Sequence, residues 1–247
     1  MKTLALTLLS LFMIFAVYSQ DAKEIVRKAD KLMQGESNYS EISMMIHRPK
    51  WERNLKMKSW VKGDDYALVY ITAPAKEEGQ VFLKRDREMW NWLPSINRTI
   101  KIPPSMMMQS WMGSDLTNDD LVNQSSIVDD YNHSIIGSET IDGYECHKIE
   151  LIPKEEAPVV WGKILSWISK DKYYTLRNEY YDENDELVNT EILSNIRDVG
   201  DRSIPTKFKV IPADEEDHYT IMEFENIKFN IEIDDSFFSI QNMKRVR

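Results

Sequence analysis

From about residue 131 to residue 229 the chain alternates apolar and polar side chains and is cut by short turn segments. Few folds accept that pattern. Residues 131–138 face residues 144–152 across Ile141-Asp142-Gly143, and residues 163–169 face residues 174–181 across Lys170-Asp171-Lys172. Asp182-Glu183-Asn184-Asp185 returns the chain into residues 187–198, and residues 203–210 and 219–229 complete the series. Period-two alternation between turn residues is the mark of antiparallel hairpins. Many successive strands with few helices predict a strongly curved antiparallel sheet, because long sheets twist and coil.

The first half adds one helix and more strands. Ile25, Ala29, Leu32 and Met33 fall on one stripe of a helix over residues 21–34, which Gly35 stops. Ile42, Met44 and Ile46 then alternate along a strand. Leu55, Met57 and Val61 alternate with Lys56, Lys58 and Lys62, so the apolar set is expected to face inward. Gly63-Asp64-Asp65 turns the chain into residues 66–72, and Asp86-Arg87 turns residues 80–85 into residues 88–93. Thr117 is expected to cap a helix with Asp119 and Asp120 in its first turn, where the helix dipole favours acids.

Between these regions a basic strand around Arg98 breaks at Pro103-Pro104 into Met106-Met107-Met108-Gln109-Ser110-Trp111-Met112-Gly113. Methionine is unbranched and polarizable and suits a surface that fits variable apolar ligands. Composition alone equally allows a Met-rich core segment. The order of features resembles the LolA-like family of outer-membrane lipoprotein-sorting proteins. The likeness rests on Trp90-Asn91-Trp92-Leu93-Pro94, on Arg98, on Trp111-Met112-Gly113-Ser114-Asp115-Leu116-Thr117 running on to Leu121, and on the ending Asp234-Asp235-Ser236-Phe237-Phe238-Ser239. Leu116 stands where an aromatic is commoner.

The resemblance implies a mainly β fold, a half-open antiparallel β-barrel with helices across its concave face. It implies a carrier, not an enzyme, that takes lipoprotein acyl chains or another hydrophobic cargo from an inner-membrane transporter to an outer-membrane acceptor. Expected cavity or lid residues are Leu55, Met57, Trp90, Trp92, Met106, Met107, Met108, Trp111 and Met112. Arg98 would hold part of the lid by hydrogen bonds. For Trp90 and Trp92, ordinary sheet packing is an equal alternative. Another reading of the same fold is a periplasmic sensor or regulator that binds a lipid or protein partner without transport.

Lys2, the apolar run over residues 4–16 and Ser19 read as a secretory signal over residues 1–19, leaving a single domain over residues 20–247. The apolar run is shorter than the roughly 20 residues of a membrane span. No cysteine follows the signal to take a lipid anchor, so the expectation is an exported, soluble periplasmic protein. The one cysteine, Cys146, reads as a small buried residue. A net charge of −10 argues against nucleic acid as a partner. The four histidines, His47, His133, His147 and His218, are scattered, so no metal is expected. No P-loop, nucleophile elbow or dinucleotide turn is present, so neither cofactor nor hydrolysis is expected.

Overall fold

The computed structural model describes residues 21–86, 88–122, 126–155, 157 and 159–247. The expected signal segment lies outside these residues, as does Arg87 of the expected turn. Helix α1 (Ala22–Gln34) starts where the Asp21 carboxylate accepts the Lys23 N–H at 3.0 Å. It ends at Gly35, whose φ of 65° favours a residue without a side chain.

Six strands follow: β1 (Ser37–Arg48), β2 (Trp51–Lys62), β3 (Tyr66–Ala73), β4 (Val81–Arg85), β5 (Glu88–Leu93) and β6 (Arg98–Ile102). A connection carrying the short helix α2 (Asn118–Val122) leads to seven more. These are β7 (Tyr131–Ile141), β8 (Tyr144–Pro153), β9 (Lys163–Ser169), β10 (Thr175–Tyr181), β11 (Leu187–Val199), β12 (Arg202–Pro212) and β13 (Tyr219–Phe229). The expected hairpins are all present, with β7 running three residues further than its alternation suggested.

All thirteen strands of the described residues form one antiparallel sheet, ordered β6-β5-β4-β3-β2-β1-β13-β12-β11-β10-β9-β8-β7. Two meanders are therefore joined by a single non-sequential pair, β1 with β13, running from Asn38 opposite Phe229 to His47 opposite Tyr219 with a register shift between Glu41 and Ile42. The sheet does not close, and β6 and β7 are its two edges. This is the mainly β, half-open barrel expected.

Strand β3 shows how the two faces are used. Val69 and Ile71 pack with Met44, Ile46, Leu55, Met57 and Phe82 on the inner face, while Leu68 and Tyr70 point the opposite way. There they meet Val81, Leu83 and Trp92 beneath a C-terminal segment that inserts Phe238, Met243 and Val246. On the inner face two covers divide the work. The α1 stripe (Ile25, Val26, Ala29) seals the β7–β9 side against Tyr131, Ile149 and Ile164. The Met-rich connection seals the β1–β5 side through Met107, Trp111 and Leu116.

Candidate functional site

Between the two covers lies a partly open cavity of about 310 Å³. Its apolar wall comes from alternate residues of several strands: Met57 on β2, Val69 on β3, Val210 on β12, and Met222 and Phe224 on β13. Leu116 of the connection closes it from above, and Ala29 and Met33 of α1 from the side. A space of this size is at the small end for a ligand pocket.

The connection over the mouth is tied down at its far end by the motif Gly113-Ser114-Asp115. Ser114, buried, donates its hydroxyl to the Trp111 carbonyl at 2.7 Å and accepts the Leu116 N–H at 3.2 Å. Ser110 donates to the Ser114 carbonyl at 2.6 Å, and the Trp111 N–H reaches the Leu116 carbonyl at 2.7 Å. The loop is thus closed on itself before it touches the sheet. Asp115 then makes the attachment. Arg48, at the end of β1, donates Nη2 to its Oδ1 at 2.8 Å and Nη1 to its Oδ2 at 3.0 Å. Thr220 of β13 donates to Oδ2 at 2.7 Å, and Asn189 of β11 reaches the Asp115 carbonyl at 3.3 Å. Gly113, at φ 75°, offers its carbonyl to Arg48 at 3.1 Å. Thr117 caps α2 as expected, its hydroxyl accepting the Asp120 N–H while Asp120 accepts the Thr117 N–H.

The expected site residues separate into three places. Met57 lines the cavity, and Leu55 lies in the adjoining cluster with Met107, Trp111 and the partly buried Met112. The four methionines of the connection do not act alike: Met107 is 4% exposed, whereas Met106 and Met108 are 37% and 48% exposed. Trp90 and Trp92 require a correction. They sit on the opposite face of the sheet, opposite Leu83 and Val81 across β4 and under the C-terminal segment. Their alternation matches that of an inner-face strand, but the covering tail makes the outer face apolar too. Arg98 is corrected likewise. It is exposed at the start of edge strand β6 and makes no side-chain hydrogen bond among the described residues, and Arg48 does the lid-holding instead.

What the residue pattern missed is the polar side of the cavity. Asp30, Asp120, Asn178, Tyr180, Asn189 and Glu191 all line it. Asn178 donates to Glu191 Oε2 at 2.8 Å and the Tyr180 hydroxyl donates to the same oxygen at 3.0 Å. Burial pushes the Asp120 carboxyl up to about 6, opposed by its bonds to Thr117. Burial likewise raises Asp30 to about 6 and pushes Glu191 and Tyr180 upward. The signal was present in β11, where Asn189, Glu191 and Leu193 share one face, but a polar alternation there reads as solvent-facing. Among the described residues no three His, Cys, Asp or Glu side chains converge as metal ligands, and no helix is long and apolar enough to cross a membrane.

Solved structures with this architecture match over nearly their whole length. A DUF1329 family protein from Desulfovibrio piger superposes with a TM-score of 0.82 at 26% identity, over 90% of this chain and 97% of that one. A LolA superfamily protein from Nitrosomonas europaea gives 0.78 at 22% identity, over 90% and 99%. A Vibrio parahaemolyticus protein described as an outer membrane lipoprotein-sorting protein domain gives 0.80 at 20%, over 91% and 98%. A family model whose description reads "Uncharacterized protein" matches residues 63–245, the greater part of the chain. The chain belongs to the family of that model, and its fold is that of the LolA superfamily structure. No curated protein matches it. In this chain the matched segment includes the Met-rich connection, the latch at Asp115 and the inner-face strands of the second meander.

Proposed function

We propose that this LolA-like protein is a soluble periplasmic carrier, exported and cleaved near Gln20, that holds an acyl chain or similar apolar group in its cavity and passes it towards the outer membrane. The observation that carries this reading is the largely apolar cavity between the sheet, α1 and Leu116 of the latched connection. Burying each CH₂ contributes about 0.8 kcal/mol, so even a partly enclosed chain is held firmly. A carrier must also release, and Met107 and Trp111 provide for that by filling the inner face when no cargo is present. The lipoprotein-sorting description of the Vibrio parahaemolyticus relative supports acyl chains as cargo, with an inner-membrane transporter and an outer-membrane acceptor as partners. The chemistry needed is binding, with no catalytic step.

Protein recovered from periplasm and analysed by lipid mass spectrometry tests this. Acyl-bearing molecules should co-purify with the wild type and be depleted in a folded Met57→Asp variant. Recovery of lipid-free protein that also fails to bind a fluorescent fatty acid would remove the carrier reading.

A further inference from the structure

Arg53 lies on the face of β2 that also carries Leu55 and Met57, directly opposite Ile46 of β1. The cover passes over it: a Cβ added to Gly113 would come 3.6 Å from Arg53 Nη2. The Nε and Nη2 atoms of Arg53 are buried without a hydrogen-bond partner, and no carboxylate reaches the side chain at ion-pair distance among the described residues. Burying charged donors with no acceptor is costly, and proteins ordinarily tolerate it only where a partner is supplied.

The two atoms are a matched pair. Nε and Nη2 form one edge of the planar guanidinium, and their N–H bonds run side by side at the spacing that takes both oxygens of a carboxylate or phosphate. At the neighbouring strand end, Arg48 makes such a two-pronged contact with Asp115, whereas the edge of Arg53 meets no acceptor. The indole Nε1 of Trp111, in the inner cluster with Leu55 and Met57, is a further buried donor without an acceptor. Arginine and the indole N–H can only donate, so the group that satisfies them must accept.

We infer that the oxyanion headgroup of an amphiphile, a carboxylate or a phosphate, docks on the Nε–Nη2 edge of Arg53 beneath Gly113, with its apolar chain running along β2 to the cavity at Met57. At about 3.3 Å per strand residue, Arg53 and Met57 are about 13 Å apart, within the reach of one alkyl chain. Met107 and Trp111 pack on the inner face between them, so the headgroup reaches Arg53 as the cover lifts. The guanidinium gains its acceptor in that step, which favours the lifted, loaded state over the closed one. Placing the charge at Arg53 also keeps it out of the cavity, which Asp30, Asp120 and Glu191 line. This rests on the carrier reading and specifies the polar end of its cargo.

Calorimetric titration with decanoate, decyl phosphate and 1-decanol below micelle formation tests this. At least one of the two anions should bind the wild type about tenfold or more tightly than 1-decanol, the size of one charge-assisted hydrogen bond, and the tighter anion names the headgroup. In Arg53→Gln that preference should collapse while 1-decanol binding stays the same. Ligand-free Arg53→Gln should melt no lower than the wild type, because the change removes a charge that has no acceptor. A lower melting temperature would mean that the protein itself satisfies Arg53 and would overturn the site. Anions that bind no tighter than 1-decanol, or an anion preference that survives in Arg53→Gln, would overturn it too and leave the carrier reading intact. Binding of none of the three would overturn both. The ranking is read on the unaltered protein, so the decision does not depend on the variant folding.

Discussion

Arg48 holds Asp115 through two parallel hydrogen bonds of 2.8 and 3.0 Å, joining the end of β1 to the loop that closes the barrel mouth. The side chains are 12% and 5% exposed, so the pair is largely desolvated. Removing one member of such a pair leaves the other charge buried and uncompensated, at a typical cost of about 3–5 kcal/mol. Removing both avoids that penalty.

Arg48→Ala and Asp115→Ala are therefore expected to destabilise the protein singly by amounts in that range, with the double variant losing clearly less than their sum. Urea denaturation of the four proteins measures the cycle. Additive losses would mean that the two residues are not coupled and that the latch is held by Thr220 and Asn189 alone.

The methionines of the cover should oxidise in two classes. Met106 and Met108 are exposed and should react with peroxide quickly whether or not cargo is present. Met107 is buried and Met112 partly so, and only these should change their rate when a detergent or lipid occupies the cavity. Peptide mass spectrometry after timed peroxide exposure reads this out. If Met107 keeps one rate under all conditions, the cover does not move.

Two carboxyls give the protein a pH dependence of known sign. Asp30 and Asp120 titrate near 6 when folded against 3.8 when unfolded, chiefly because they are buried. Between those values the folded state holds protons that the unfolded state has lost. Their contribution to stability therefore falls as pH rises from about 4 to about 6 and is flat above. Asp120→Asn keeps an acceptor for the Thr117 N–H and removes the titration. It should be more stable than wild type at pH 7.5 by about 3 kcal/mol. The gap should vanish below pH 4. Thermal melts of both proteins across this range test it, and a gap that grows on acidification would reverse the assignment.

Local signals carried most of the architecture. The turns at Gly63-Asp64-Asp65 and Ile141-Asp142-Gly143, the α1 stripe and the Thr117 cap all depend on residues a few positions apart. The facing of β5 did not. Trp90 and Trp92 alternate as an inner-face pair would, and what places them outside is Phe238, more than a hundred positions later, covering that face. Glu191 failed for the converse reason. An acid in a polar alternation belongs to solvent unless something distant encloses it, and here α1 and Leu116 do so. Arg98 and Arg48 are both strand-terminal arginines, and only the fold decides which one meets Asp115.

The connection that covers the mouth leaves the sheet at β6 and rejoins it at β7, the two edges that never pair. It therefore acts as a strap across an open hoop. Asp115 pins that strap to Arg48 and Thr220 between its two ends, so the cover is fastened at three places, at each free edge of the sheet and at the latch between them.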